Sequence, residues 1–322
     1  MGVFWSVPKS ILNSLEFNTD DGFHITMILF CISVLLLILQ ISRVSGSTTS
    51  TCDLRETSIT FLNVAVEMIN KAKLNFPVCP AITSEKESKP VDCEDLLRNG
   101  HNASGVYTIW PMSRVTNGKP MDVFCDMDTD EGGWTVIQRR GNYNRSIDYF
   151  FKDWKSYKEG FGDIEKEFWL GNDNIFALTN QRLYSIRFDL KAMEGEKRYA
   201  LYDTFWTDDE NHKYTLHIQD YSGDAGDSMI RVHDNQKFST KDQDNDNTAN
   251  AHCADSLKGG WWYESCYSAN LNGLNLRGFH KNNPSGVSWQ AFRGTGESLN
   301  TTEMKIRSSS FSRKRILEKR VL

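Results

Sequence analysis

The stretch from Lys241 to Cys253, KDQDNDNTANAHC, places three aspartates at alternate positions: Asp242, Asp244 and Asp246. Two carboxylates about 5 Å apart repel each other by about 1 kcal/mol in water and about 3 kcal/mol near a protein surface. Such a run is therefore either solvated or organised around a cation. Calcium binds about six to eight oxygen atoms from carboxylates, carbonyls and water, and it suits this composition.

The stretch does not match an EF-hand loop. If Asp242 is the first position, the sixth is Asn247 instead of glycine and the twelfth is Cys253 instead of glutamate. A different calcium loop is required, and a solvated acidic loop remains the alternative. Asp242 is expected to be a supporting or surface residue.

The cysteines and glycosylation motifs indicate an oxidising, extracellular setting. Three Asn-x-Ser/Thr motifs begin at Asn102, Asn144 and Asn300. Because no two cysteines have Cys-x-x-Cys spacing, disulfides are favoured over a zinc site. Six cysteines lie outside the apolar N-terminal segment, and their pairing stays open at this point: Cys52, Cys79, Cys93, Cys125, Cys253 and Cys266.

Residues 1–46 contain an uncharged apolar run at 25–41, ITMILFCISVLLLILQI. Its length fits either the core of a cleaved signal peptide or a short signal-anchor helix, the second of which gives a single-pass type II membrane protein. The basic residues that flank the run do not decide between these alternatives. Both place residues 47–322 outside the cell.

Residues 47–90 resemble a linker with one amphipathic helical segment. Ile59, Leu62, Val66 and Ile69 share one face of that segment. It is either an oligomerising stalk, with Cys52 and Cys79 as candidate interchain disulfides, or a simple connector. Residues 311–322 form a basic tail, and the net charge of −5 favours neither nucleic acid nor an anionic membrane as partner.

From residue 91 onward, short strand-like runs predict an α+β fold with a twisted, mostly antiparallel sheet. Those runs are WTVIQRR, YSIRFDLK, KRYALYDTFW and KYTLHIQDY. FKDWKSYKEGFG and DNIFALTNQ predict short helices. Residues 220–300 have little regular periodicity, which is typical of a loop-rich subdomain that is functional or held by crosslinks.

Six blocks of this region resemble the fibrinogen C-terminal domain, in the order expected for that family. They are DCEDLLRNGHNASGVYTIWP, FCDMDTDEGGWTVIQRRGN, YKEGFGDIEKEFWLGNDNIFALT, YSGDAGDSM, FSTKDQDND and GGWWYESCYSANLNGLNLRG. The nearest resemblance is to ficolin-like and tachylectin-like lectins, a group that includes membrane-anchored acetyl-group receptors. The domain is assigned to residues 91–310.

The resemblance implies the disulfides Cys93–Cys125 and Cys253–Cys266, together with a calcium site beside the second. It assigns the calcium carboxylates to Asp244 and Asp246, and backbone carbonyls to Thr248 and Asn250. The loop departs from the family pattern, because six residues, 247–252, separate the second aspartate from the cysteine where relatives have five.

The resemblance also implies a pocket for an acetyl group after the calcium loop. A cis peptide is expected at His252–Cys253, with backbone N–H groups there and at Ala254 binding the acetyl carbonyl. Tyr267 is expected on the pocket wall and Asn270 at its rim. Tyr267 stands where many relatives have histidine.

These expectations define a calcium-dependent extracellular lectin for N-acetylated carbohydrates or other acetylated groups, acting as a homo-oligomer in innate immune recognition. The alternative is an angiopoietin-like ligand that binds a protein receptor and holds calcium for structure alone. Enzymatic activity is not expected, because G-x-S-x-G, H-E-x-x-H and phosphate-binding glycine motifs are absent from the sequence.

Overall fold

The computed structural model describes residues 51–75, 89–280 and 283–311, with side chains in the first range described from 58 to 71. The apolar run at 25–41, Cys79 and the tail from residue 312 lie outside the described residues, as does the side chain of Cys52. Among the helices that are described, none is long and apolar enough to cross a membrane. The chain divides into two compact units, Met1–Glu85 and Lys86–Leu322.

The described part of the first unit is a long helix, α1, at Thr51–Asn75. The apolar residues predicted to share a face are exposed there: Ile59 by 47%, Leu62 by 65%, Val66 by 54% and Ile69 by 54%. Their spacing of three and four residues matches positions a and d of a heptad repeat. The sequence therefore forms the predicted helix and leaves an apolar stripe uncovered.

The second unit contains short helices and thirteen strands within the described residues. The helices are α2 Cys93–Arg98, α3 Trp154–Glu159, α4 Asn172–Thr179, α5 Ile230–His233, α6 Cys253–Leu257 and α7 Gln290–Arg293. The strands are β1 Gly105–Ile109, β2 Met121–Asp126, β3 Trp134–Arg140, β4 Phe161–Gly162, β5 Phe168–Trp169, β6 Tyr184–Lys191, β7 Lys197–Thr207, β8 Leu216–Gly223, β9 Ala269–Asn270, β10 Gly278–Phe279, β11 Ser288–Trp289, β12 Glu297–Ser298 and β13 Thr301–Ser308.

The main sheet is antiparallel and has nine strands, with the order β1-β2-β3-β13-β6-β7-β8 and with β4 and β5 attached beside β3. The α+β class and the antiparallel sheet are as predicted. The four predicted strand runs correspond to β3, β6, β7 and β8, and the two predicted helices to α3 and α4. β13 was not predicted, although it pairs with both β3 and β6 at the centre of the sheet.

The two faces of the sheet differ in chemistry. On β6, Ile186 and Phe188 are buried in the core, whereas Arg187 and Asp189 face the other way and are partly exposed. This alternation follows from the two-residue period of a strand. The apolar face packs against large buried aromatic side chains from the loop-rich region, among them Trp261, Trp262 and Trp289.

Both disulfides implied by the family resemblance are present. Cys93–Cys125 joins α2 to β2, and Cys253–Cys266 closes a loop with a sequence separation of 13 residues. Loop closure of this size stabilises the folded state by about 3–4 kcal/mol in the chain-entropy account. The loop-rich subdomain is thus crosslinked beside the acidic stretch.

A buried ion pair connects the sheet to the same subdomain. Arg140 at the end of β3 lies 2.7 Å from a carboxylate oxygen of Glu167, and both side chains are almost fully buried. The other end of the guanidinium donates to the backbone carbonyls of Leu271 and Gly273, each at 2.9 Å. The Arg140 side chain therefore holds the segment that follows the second cysteine against the sheet.

Candidate functional site

The carboxylate of Asp246 connects the acidic loop to the crosslinked helix α6. Its Oδ1 accepts a hydrogen bond from the Thr248 N–H and its Oδ2 accepts one from the Cys253 N–H, both at 2.8 Å. Each oxygen keeps a lone pair for another partner. The side chain is therefore oriented by the backbone while it remains able to bind a cation.

Asp244 lies next to Asp246 and is exposed to solvent. Its Oδ1 accepts a hydrogen bond from the Asp246 N–H at 3.2 Å. Burial, and then the neighbouring Asp244 carboxylate, raise the pKa of Asp246 against the effect of its N–H donors. Two like charges brought together in this way are a suitable pair of ligands for a divalent cation.

The other predicted calcium ligands are the backbone carbonyls of Thr248 and Asn250, which follow the two aspartates closely in sequence. Carbonyl oxygens are ligands that calcium accepts. Thr248 is half-buried and Asn250 is exposed. Among the described residues, no group of three or more histidine, cysteine or acidic side chains could hold a metal. A cation at Asp244 and Asp246 would therefore take its other ligands from carbonyl groups and water, which calcium accepts readily.

Asp242 has a structural role, as expected. Its Oδ1 accepts hydrogen bonds from the Trp154 N–H at 2.8 Å and from the Thr240 hydroxyl at 2.7 Å. The first of these bonds joins the acidic loop to the start of α3. Asn245 adds a second anchor by donating to the Phe238 carbonyl at 2.8 Å.

The expected cis peptide at His252–Cys253 is wrong. The cis bond lies at Ser265–Cys266, before the other cysteine of the same disulfide. The Cys253 N–H is occupied by Asp246, and Cys253 and Ala254 are buried in the first turn of α6. The Cys253 N–H is therefore used within the protein, and Ala254 has no exposed surface. The ring of His252 contacts the Thr240 carbonyl through Nε2 at 2.9 Å, which fixes its direction.

The segment after the cis bond presents the groups that were expected at His252–Cys253. No hydrogen bond within the described residues uses the N–H of Cys266 or of Tyr267. Tyr267 is half-buried beside them, and its hydroxyl donates to the Pro284 carbonyl at 2.6 Å. Among the described residues, two N–H donors without a hydrogen-bond partner therefore lie beside an aromatic side chain at the second cysteine. That Tyr267 forms the wall of a pocket stays a prediction.

Asn270 does not lie at a pocket rim. Its side chain is fully buried and accepts a hydrogen bond from the Tyr263 hydroxyl at 2.7 Å. Its amide nitrogen lies within hydrogen-bond distance of the carbonyls of Leu257, Ser285 and Gly286. Because all of its polar atoms are used inside the protein, Asn270 connects loops and cannot contact a ligand.

Comparison with known proteins decides the family. The family described as the C-terminal globular domain of fibrinogen beta and gamma chains matches the sequence over residues 89–309. The chain belongs to this family. Its fibrinogen domain contains the acidic loop, both disulfides and the segment around Tyr267.

Two relatives have sequences similar to this chain over more than two thirds of its length. Techylectin-5A of Tachypleus tridentatus is 57% identical over 223 residues, which cover 69% of this chain and 75% of that protein. A techylectin-like protein of Phoneutria nigriventer is 49% identical over 258 residues, covering 80% and 98% respectively. Among solved structures, the fibrinogen-like globe domain of human ANGPTL2 has a TM-score of 0.64 and 40% identity, covering 68% of this chain and 99% of that one.

His233, which the sequence did not single out, positions the segment that follows the second cysteine of the fibrinogen domain. His233 is fully buried. Its Nδ1 donates to the Trp262 carbonyl at 2.7 Å, and its Nε2 accepts from the N–H groups of Ser268 and Ala269 at 3.1 and 3.0 Å. Burial lowers the pKa of His233 to about 4. A neutral imidazole thus holds the chain directly after Tyr267, and a lone histidine in the sequence carries no signal of that role.

Proposed function

We propose that this protein is a calcium-dependent extracellular lectin that binds N-acetylated carbohydrates or other acetylated surface groups. The observation that supports it is the continuity of the site. Asp246 accepts a hydrogen bond from the N–H of Cys253, and the N–H of its disulfide partner Cys266, beside Tyr267, has no hydrogen-bond partner in the part of the chain that the structure describes. A cation at the acidic loop would therefore order the segment that meets the ligand.

Each part of the site has a role in this proposal. Asp244 and Asp246 hold calcium, with carbonyl oxygens of Thr248 and Asn250 completing its ligands. The N–H groups of Cys266 and Tyr267 donate to the acetyl carbonyl, and the Tyr267 ring contacts the acetyl methyl group. Calcium supplies fixed positive charge that balances the two carboxylates.

Ligand binding is tested with the intact chain on surfaces that carry N-acetylglucosamine or glucosamine whose amine is left free. We expect retention on the acetylated surface in calcium and release after chelation. Retention on both surfaces alike would exclude acetyl recognition. A calcium-dependent gain in thermal stability without retention on either surface would favour the protein-receptor alternative.

The metal site is tested by Asp246→Asn, which removes one charge and keeps the side-chain shape. At calcium about 100-fold above its dissociation constant, the bound ion should stabilise the native protein by about 2.7 kcal/mol. We expect the variant to lose most of this gain in thermal unfolding. Asp148→Asn, at an exposed aspartate outside the loop, is the matched control and should keep it. An unchanged calcium response in Asp246→Asn would place the cation elsewhere.

A single shallow site binds weakly, and several copies on one oligomer raise the effective affinity. We propose that α1 supplies the oligomer by packing its exposed stripe against the same helix of other copies. The stripe is uncharged and has heptad spacing, and the unit contains no other described element to cover it.

The stripe is tested by Leu62→Glu, which puts a charge at its centre. We expect the variant to sediment as a monomer, whereas Lys71→Glu, outside the stripe on the same helix, should keep the native mass. If the two variants have the same mass, α1 is only a connector. Because Leu62→Glu removes the oligomer, its avidity for the acetylated surface should fall. The affinity of a single site for free sugar should not change.

A further inference from the structure

The charged face of the central sheet contains a groove of about 480 Å³. Strands β3, β6, β7 and β13 contribute most of its lining, and none of the lining residues belongs to the acidic loop or to the segment around Tyr267. The groove is therefore a feature of the fibrinogen domain that the proposed acetyl site does not use. Its volume lies within the range of about 300–1,000 Å³ that is usual for small-molecule sites.

The floor of the groove is a closed set of ion pairs. The ammonium of Lys305, whose side chain is only 2% exposed, lies 2.6 Å from Asp126, 2.7 Å from Asp189 and 2.9 Å from Glu303. The second oxygen of Glu303 lies 2.5 Å from Arg139. Every carboxylate of the floor thus has a cationic partner, and the floor attracts no free cation.

The lining carries more positive than negative charge. Six cationic side chains and three carboxylates line the groove, an excess of three positive charges. Arg140 is also a lining residue, but its side chain is buried and paired with Glu167, and Arg198 is paired with Glu196. The unbalanced charge is left on Lys191 and Lys197.

These two lysines stand directly opposite each other on neighbouring strands β6 and β7. Like charges at directly opposed positions of an antiparallel pair are unfavourable. Within the described part of the chain, neither ammonium group has an ion-pair partner. An anionic group placed between them would remove the repulsion and gain two charge-assisted contacts.

The middle of the groove combines an aromatic ring with fixed polar groups. The guanidinium of Arg187 stacks over the ring of Tyr199 at 4.0 Å and is held by Asp189 at 2.8 Å. Thr301 lines the same end of the groove as Lys191, its neighbour across the β6–β13 pair. The side chains of Asp189 and Glu303 are 30% and 26% exposed, and their carboxylates can accept hydrogen bonds from hydroxyl groups.

We propose that this groove is a second ligand site, specific for an acidic saccharide that carries a carboxylate or sulfate group. The lysine pair binds the anionic group, and the floor carboxylates accept hydrogen bonds from the sugar hydroxyls. A small inorganic anion would fill only a fraction of the volume and would face three carboxylates without hydroxyl groups to offer them. A neutral sugar would leave the lysine pair uncompensated.

The site is tested with the intact chain in solution, with tri-galacturonic acid and a sulfated galactose trisaccharide as anionic probes and neutral galactotriose as the control. These probes contain no acetyl group, and calcium is removed by chelation, so the acetyl site does not contribute. We expect both or one of the anionic probes to bind, with affinity that falls as salt concentration rises, and the neutral probe to bind at least about tenfold more weakly.

The decisive variant is Lys191→Glu/Lys197→Glu, which reverses the charge of the pair. We expect it to lower affinity for the anionic probe by about tenfold or more, because two attractive contacts become repulsive. Lys119→Glu/Lys155→Glu changes the net charge equally at two exposed lysines outside the groove and should bind as the native protein does. Far-UV circular dichroism spectra and melting temperatures equal to those of the native chain show that both double variants keep their fold.

Three results would overturn the proposal. The first is that the native chain binds neither anionic probe. The second is that both double variants lose affinity for the anionic probe equally, and the third is that the groove variant keeps its affinity. The second of these would reduce the interaction to general charge attraction. The outcome is independent of the proposed acetyl site, since that site is tested with a different probe and in the presence of calcium.

Discussion

Replacing Glu167 by glutamine is expected to lower the free energy of unfolding by about 3–5 kcal/mol, the usual cost of removing one partner from a buried ion pair. Arg140 would keep its charge in a fully buried position without a counter-ion. Burial lowers the pKa of Arg140 and Glu167 opposes that effect, which indicates how strongly the guanidinium depends on this carboxylate. Chemical denaturation of the native protein and the variant measures the difference.

The matched control is Glu165→Gln, which makes the same change two residues earlier at an exposed position. It should alter stability by no more than about 0.5 kcal/mol. The double substitution Arg140→Met/Glu167→Met removes both charges and should be less destabilised than Glu167→Gln. A loss below about 1 kcal/mol for Glu167→Gln would show that water or another group compensates Arg140.

The same substitution should also weaken ligand binding, because Arg140 holds the carbonyls of Leu271 and Gly273 that follow the site. We therefore expect Glu167→Gln to reduce retention on the acetylated surface at temperatures where the protein is still folded. Glu165→Gln should not do so. Normal retention by the Glu167 variant would confine the role of the ion pair to stability.

Acidification is expected to destabilise the native protein by about 3 kcal/mol between pH 6.5 and pH 4 through His233 alone. In the folded state burial lowers the pKa of this histidine to about 4, against about 6.5 when it is unfolded. Nearby Asp227 and Glu264 act to raise the pKa but do not overcome burial. Between the two pKa values the unfolded chain binds one more proton than the folded chain, so the free energy of unfolding falls as the pH is lowered. The full stabilising contribution of neutral His233 is present only above about pH 6.5.

The measurement is the pH dependence of the free energy of unfolding in the native protein and in His233→Gln. Glutamine can donate to the Trp262 carbonyl and accept from Ser268 and Ala269, but it does not titrate. The slope of the variant between pH 4 and 6.5 should be smaller by one proton, or about 1.4 kcal/mol per pH unit. Parallel slopes would refute the assignment. Asp126 does not interfere with this comparison: burial raises its pKa, but Lys305 and the hydrogen bonds from Thr129 together lower it to about 2, below the pH range measured.

The strands of the main sheet differ in how well the sequence pattern predicts them. β3, β6, β7 and β8 alternate apolar and polar residues or are rich in branched and aromatic residues, and that pattern is a local property. β13 is central in the sheet yet has Lys305 and Arg307 buried. Its polar residues are stabilised by partners far away in the chain, such as Asp126 and Asp189, and no local pattern reports them.

The site shows the same division. Alternate aspartates followed by a cysteine predicted a loop able to hold a cation, because ligand chemistry depends on residue type and spacing. The sequence could not separate the peptide before Cys253 from the one before Cys266, since each precedes a cysteine of one disulfide. Only the tertiary structure shows that the Cys253 N–H is bonded to Asp246, while no hydrogen bond among the described residues uses the Cys266 N–H.

The amino-acid sequence by itself determined the family, the antiparallel α+β sheet, the two disulfide pairs through that family, and the position of the acidic loop. These follow from short-range patterns and from blocks of residues in a recognisable order. The tertiary structure decided which polar residues are buried supports, namely Asn270 and His233, and which N–H groups at the second cysteine have no hydrogen-bond partner among the described residues. It also brought four strands together to form the charged groove. The reason is physical: burial and pairing are properties of groups that meet only when distant segments of the chain pack together.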